Sequence, residues 1–401
     1  MLRSFRLANH KSIRQEQELL LLPVYDHGRP VQPVTAIYGA NASGKSTLLD
    51  GLRFMRDAVL DSYARWEPKG GVPRKPFRLD PAAKDEPSNF VVDLELDGVR
   101  YTYGFSVDDH TVLEEWLYSY PEKKRRVIFE RTGGDIKFGS TVAGRRGKAD
   151  ILEELTRPNA LFLSVASQVN LAELTPVHNW FDDGLLILGS RRLDTKGLHD
   201  FLAETITLLP VFSTRIIDLL KFADVGISDL TVYEVADGDK ITQHLRFVHS
   251  PHGEAFQIDD ESAGTRAWLG TVSFGVGALV DGSTLVVDEI DTSLHPRLTS
   301  RLLALFQDET TNPKLAQLIC TTHDTTLLGS TLGEQPLTRD QMWFTEKNAA
   351  GETALRPLSD FRPRKGENVE RRYLGGSYGA VPRIFPEDFA AALRGETDGA
   401  A

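Results

Sequence analysis

Gly39-Ala-Asn-Ala-Ser-Gly-Lys-Ser46 is the stretch on which the fold turns. It satisfies G-x-x-x-x-G-K-[ST], the spacing of a glycine loop that wraps polyphosphate. The run before it, VTAIY at 34–38, is apolar and β-branched and reads as a buried strand. After the loop, Leu48, Leu52, Met55 and Val59 recur at helical spacing. The local order is therefore strand, loop, helix, which turns backbone N–H groups and a positive helix end toward an anion. Gly39, Asn41, Ala42, Ser43, Gly44, Lys45, Ser46 and Thr47 become the candidate nucleotide contacts. Lys45 is expected to reach the β- and γ-phosphates and the Ser46 hydroxyl to face Mg²⁺.

Such a loop needs a carboxylate at the end of a neighbouring strand. Thr284-Leu-Val-Val287 is apolar and ends in Asp288-Glu289. Asp288 is the expected metal-side acid and Glu289 the expected general base that takes a proton from the attacking water. The two motifs stand 249 residues apart, with strand-rich and helix-rich stretches between them. That layout resembles an ABC-type ATPase head. Three further segments fall in order. Glu261-Ser-Ala-Gly-Thr265 occupies the signature position and offers Ser262, Gly264 and Thr265. Ile290–Pro296 follows the acids as a D-loop would. Leu318-Ile-Cys-Thr-Thr-His323 is a strand closing on His323, a candidate catalytic switch histidine.

Between the motifs, FVVDLEL and VRYTYGFSV flank Asp97-Gly98, a two-residue hairpin turn, and β-rich pieces follow at 111–120 and 126–139. Residues 151–225 read as helical, 229–249 as strands, and 262–345 as three alternating helix–strand pairs. The expected organisation is an N-terminal part of the ATPase lobe with an antiparallel β-lobe over 1–150 and a helical insertion over 151–225. The C-terminal part of the lobe then covers 226–384, and a flexible tail 385–401. The fold class is α/β.

The chain has 401 residues, 41% hydrophobic and 26% charged, with a net charge of −11. It can bury a large core, and it lacks the overall positive field of a general nucleic-acid binder. Its one cysteine, Cys320, excludes an internal disulfide and a cysteine zinc site. No stretch approaches the roughly 20 apolar residues of a membrane span. The N-terminus is too charged for a signal peptide. A cytoplasmic protein is expected.

The segments FRLANHKSI, IYGANASGKST, DLELDGVRYTYGFSVD, RPNALFLSVASQ, ESAGT, LVVDEIDTSLHP and TTHD together resemble the SMC/RecF/OLD-like ABC-type ATPases, often named AAA-type ATP-binding proteins. The closing RKGENVERRYLGGSYGAVPRI is similar to the RloA/AbiLii-like abortive-infection group. The resemblance implies ATP and Mg²⁺ as ligands. It implies a homodimer or higher oligomer in which Ser262, Gly264 and Thr265 meet the γ-phosphate held by the other subunit. Gln168 would sit near the metal, unless it is a plain surface glutamine. The role it implies is the sensor or switch of an anti-phage defence system, with a separately encoded RloB-like, Toprim-type nuclease as effector. A RecF-like DNA-repair ATPase and an ATP-binding scaffold with negligible turnover are the alternatives, and direct DNA contact stays open. Two readings stand for residues 362–383. Tyr373 and Tyr378 pack the segment onto the ATPase lobe, or Tyr373 and Arg372 dock a neighbouring subunit or the effector.

Overall fold

The computed structural model describes residues 1–25, 28–140, 146–167, 171–188, 198–200, 202–203, 206, 210–223, 226–237, 240–250, 252–364, 366–382, 390–391 and 393–394. In chain order its strands are β1 (Leu2–Ala8), β2 (Gln17–Leu20), β3 (Val34–Gly39), β4 (Ser88–Leu96), β5 (Val99–Val107), β6 (Val112–Tyr120), β7 (Arg126–Thr132), β8 (Asp135–Phe138), β9 (Leu185–Leu188), β10 (Ile227–Asp237), β11 (Lys240–His249), β12 (Glu254–Phe256), β13 (Thr284–Val287), β14 (Gln317–Thr321), β15 (Met342–Lys347) and β16 (Thr353–Pro357).

They form three sheets. The central one has the order β16-β15-β3-β14-β13-β9, parallel except for its β15–β16 edge. Strands buried on both faces should be apolar throughout, and β3, β13 and β14 are buried at every position. Alternate residues feed two cores. Ile37, Val286 and Ile319 join one with the helix Lys45–Asp61 and the β-lobe. Ala36, Tyr38, Val287 and Cys320 join the other with the helices Ala263–Asp281 and Pro296–Gln307. The β-lobe is the seven-stranded antiparallel sheet β2-β1-β4-β5-β6-β7-β8, so the first strand of the chain belongs to it. Its β4–β5 turn is the expected one, with Asp97 at φ 50° and Gly98 at φ 76°. The third sheet, β10-β11-β12, is antiparallel.

Three expectations change. Leu185-Leu-Ile-Leu188, inside the stretch read as helical, is β9, paired in parallel with β13. A four-residue apolar run carries no period that separates strand from helix. The last expected helix before β15 is replaced by two single 3₁₀ turns, Thr325–Leu328 and Arg339–Gln341. The core also does not end near Thr345, because β16 adds an antiparallel edge. For the described part of residues 362–383 the packing reading holds. Tyr373 and Tyr378 are buried and stack on Phe344 with centroids at 5.7 and 4.8 Å. Arg372 is paired with Glu367. Tyr373 is therefore closed to a partner, and the docking reading through it falls. The 385–401 tail lies mostly outside the described residues. Among the described residues no helix is long and apolar enough to cross a membrane.

Candidate functional site

The glycine loop leaves the end of β3 and enters the helix Lys45–Asp61 through Gly44, which has φ 108°, a left-handed value that L side chains rarely take. A Cβ at Gly39 would overlap the Thr345 and Ser43 hydroxyls, and one at Gly44 would overlap Thr353. Both glycines are required by close approach of other backbone or side chains. Asn41 and Ala42 are exposed at the loop tip, with Ala42 at φ 62°. Ser43 is buried, and Thr47, half-buried, lies on the first helical turn.

Lys45 is buried, and its Nζ donates to the Gly39 and Ala40 carbonyl oxygens at 2.8 and 3.1 Å. Burial lowers its pKa, opposed by Glu289, Asp288 and Asp291. The ammonium thus folds back over its own loop and faces three carboxylates. Ser46 Oγ donates to Asp288 Oδ1 at 3.1 Å, joining residues 242 positions apart. This contact brings the loop and the strand-end acid into one place, as the parallel order β3-β14-β13 requires.

Thr321, at the end of β14, was not singled out from the sequence, although it stands in the TTHD segment. Its hydroxyl donates to Asp288 Oδ1 at 2.6 Å and accepts the Glu289 N–H at 2.6 Å. One side chain therefore holds the Asp288 carboxylate and the Glu289 backbone. Glu289 has φ 52°, a strained value for a residue with a Cβ, and such strain collects at functional sites. Its Oε2 accepts from Thr292 at 3.3 Å. Asp291 accepts the His323 backbone N–H at 3.3 Å. His323 is exposed. Partial burial and Lys45 hold its pKa below the ordinary imidazole value, against Asp291, Glu289 and Asp288.

The signature residues lie at another helix. Ser262 caps Ala263–Asp281 by accepting the Thr265 N–H at 3.0 Å, and its Oγ is 2.8 Å from Thr265 Oγ1. Ser262 is exposed and Thr265 buried. A Cβ at Gly264 would sit 3.1 Å from the Ser293 carbonyl, so this turn leans on the segment expected as the D-loop. The structure thus gathers Lys45, Ser46, Asp288, Glu289 and His323, and sets the Gly264 turn against Ser293. Gln168 lies outside the described residues.

Oxygen donors converge at Ser46 and Asp288, which is the chemistry of a magnesium site. That ion takes one or two protein oxygens and completes its shell from phosphates and water. No group of three or more His, Cys, Asp or Glu able to hold a metal occurs among the described residues, so the donor set does not suit a cage of protein ligands.

A family model described as "AAA domain, putative AbiEii toxin, Type IV TA system" matches residues 34–329. Among solved structures, the chain is similar to an Smc head bound to the C-terminal winged-helix domain of ScpA. The identity is 13%, covering 90% of this chain and 99% of that one, with a TM-score of 0.45. It is also similar to the Smc head with an extended coiled coil bound to the C-terminal domain of ScpA, derived from Pyrococcus furiosus. There the identity is 12%, covering 90% and 97%, with a TM-score of 0.44. No curated protein matches the chain.

Proposed function

This chain belongs to the AAA-domain, AbiEii-toxin family and is a P-loop NTPase, and from that membership we propose that it hydrolyses ATP with Mg²⁺ at the Gly39–Ser46 loop. The observation that carries the reading is the Ser46–Asp288 contact, which joins a phosphate loop to a strand-end carboxylate across 242 residues. Backbone N–H groups of the loop and Lys45 bind the β- and γ-phosphates. Ser46 and Asp288 hold Mg²⁺, which neutralises phosphate charge when bound. Glu289, its backbone held by Thr321, takes a proton from water as the water oxygen attacks the γ-phosphorus and the bond to ADP breaks. His323 accepts or donates a hydrogen bond at the γ-phosphate edge.

The site is half of a composite one. A second copy supplies Ser262 and Gly264 over the γ-phosphate, with the buried Thr265 holding Ser262 from behind, so ATP binding closes a dimer and hydrolysis reopens it. The exposed Ser262 and its cap geometry support this. In the cell the protein is a cytoplasmic sensor or switch of an anti-phage, abortive-infection system of the RloA/AbiLii-like kind, acting with a separately encoded nuclease. The family's description as a toxin of a type IV toxin–antitoxin system supports a role as one half of a two-component pair.

Glu289→Gln tests the assignment. It keeps size and hydrogen bonding but cannot take the proton. Hydrolysis should fall by about 10² or more, while ATP still binds and the ATP-bound dimer accumulates in light scattering. Unchanged turnover would remove Glu289 from the mechanism.

A further inference from the structure

The phosphate loop is braced from behind by hydroxyls outside the family-matched residues 34–329. Thr345, on β15, donates to the Tyr38 carbonyl at 3.2 Å and lies 2.6 Å from Ser43 Oγ. Thr353, on β16 and 4% exposed, donates from Oγ1 to the Ser43 carbonyl at 2.8 Å. Its oxygen is 2.9 Å from Ser12 Oγ, which is 3.0 Å from Thr47 Oγ1. The Thr353 N–H also donates to the Ser12 carbonyl at 2.7 Å. A row of hydroxyls from both ends of the chain therefore lines the protein side of the loop.

The geometry gives Thr353 a particular task. A trans peptide is planar, so its C=O and N–H point in opposite directions. Fixing the Ser43 carbonyl toward β16 turns the Gly44 N–H the other way, into the concave side of the loop. Gly44 is left-handed and has no Cβ, so its own side chain cannot resist a flip of that peptide. The Thr353 side chain fills the space where such a Cβ would be.

We propose that Thr353 is a positioning residue for the nucleotide: it holds the Ser43–Gly44 peptide so that the Gly44 N–H already faces the phosphate site before ATP arrives. The inference rests on the reading of Gly39–Ser46 as the ATP site. A donor placed in advance costs nothing to reorganise on binding. A backbone N–H of the loop touches phosphate in the ground state and the transition state alike, so its loss weakens binding and leaves the chemical step alone.

Thr353→Val keeps the shape and removes the hydroxyl, and Thr353→Ser keeps the hydroxyl. Mg-ATP binding by calorimetry and steady-state hydrolysis are measured on the full chain. Thr353→Val should raise Kd and KM about tenfold, the worth of one buried hydrogen bond, with kcat within about twofold, and Thr353→Ser should restore wild-type values. Wild-type affinity in Thr353→Val overturns the proposal. So does a lowered kcat at unchanged KM, which reports a smaller folded fraction, and so does equal damage in Thr353→Ser, which would assign the effect to shape. Failure of the wild-type protein to bind Mg-ATP overturns the reading of the loop itself, and it is seen before any variant is compared.

Discussion

His10 shows how much one side chain at the edge of the site is constrained. It is 1% exposed, and Nε2 lies 2.9 Å from Asp50 Oδ2 on the phosphate-loop helix, while Nδ1 has no hydrogen-bond partner. Protonation would make Nδ1 a buried donor with nothing to accept it. Burial accordingly lowers the His10 pKa, against the pull of Asp50 and with Lys11 and Lys75 nearby. The Asp50 carboxyl is itself penalised by burial but held low by hydrogen bonds from His10 and Lys11, so it stays charged across the neutral range. The folded His10 thus binds its proton more weakly than the unfolded one. As pH falls below about 6.5, the unfolded state takes up a proton the folded state refuses, and stability drops until the lowered pKa is reached. Denaturant midpoints at pH 7.5 and 5.5 should therefore differ more for the wild type than for His10→Asn, and equal differences would show that His10 carries none of the slope. Histidine 10 and the hydroxyls of Ser12, Thr321, Thr345 and Thr353 were not legible as site residues. Each acts through a contact formed only on folding, whereas Lys45, Ser46, Asp288, Glu289 and His323 announce themselves by spacing.

At the scale of elements, a buried ion pair ties the β-lobe to the chain that leaves it. Glu115, on β6, is 0% exposed and lies 3.6 Å from Arg131, on β7. Its carboxylate accepts the N–H groups of Phe162 and Leu163 at 2.6 and 3.0 Å and the Tyr103 hydroxyl at 3.0 Å. Arg131 donates to the carbonyls of Gly133, Ala160 and Arg157. Burial pushes the Glu115 carboxyl up, against Arg131 and the two N–H groups. Arg131→Met fills the volume but leaves a buried carboxylate without its cation, an arrangement that costs about 3–5 kcal/mol. The denaturant midpoint should fall accordingly, and a loss below about 1 kcal/mol would show that water or a local shift replaces the arginine. Such a pair is invisible in sequence, because Glu115 stands next to Glu114 on the strand and nothing in the two adjacent acids tells the buried one from the exposed one. The β4–β5 hairpin was legible because Asp97-Gly98 has a turn chemistry of its own. Strands β9 and β16 were not, since one is four residues of plain leucine and isoleucine and the other ends in proline at a sheet edge. Their places are decided by neighbouring strands.

For the whole molecule, the central question is where the signature acts. In this chain Ser262 and Thr265 are spent on capping their helix, and Gly264 leans on the Ser293 carbonyl. The loop and acids gather elsewhere, at the ends of β3, β13 and β14. On the proposed composite reading, that signature meets nucleotide held by a second subunit, and the 290–296 segment it touches travels with it. If so, nucleotide binding and dimer closure can be separated by one substitution. Glu289→Gln should trap the ATP-bound dimer. Adding Gly264→Asp places a carboxylate where the partner's γ-phosphate would arrive, and like charges at that distance repel strongly with water excluded. The double variant should bind Mg-ATP with the affinity of a monomer yet stay monomeric in light scattering at concentrations where Glu289→Gln alone is dimeric. A dimer that persists would place the signature away from the interface. Lost nucleotide binding in the monomer would instead make Gly264 part of the site of its own chain, and the composite arrangement would fall with it.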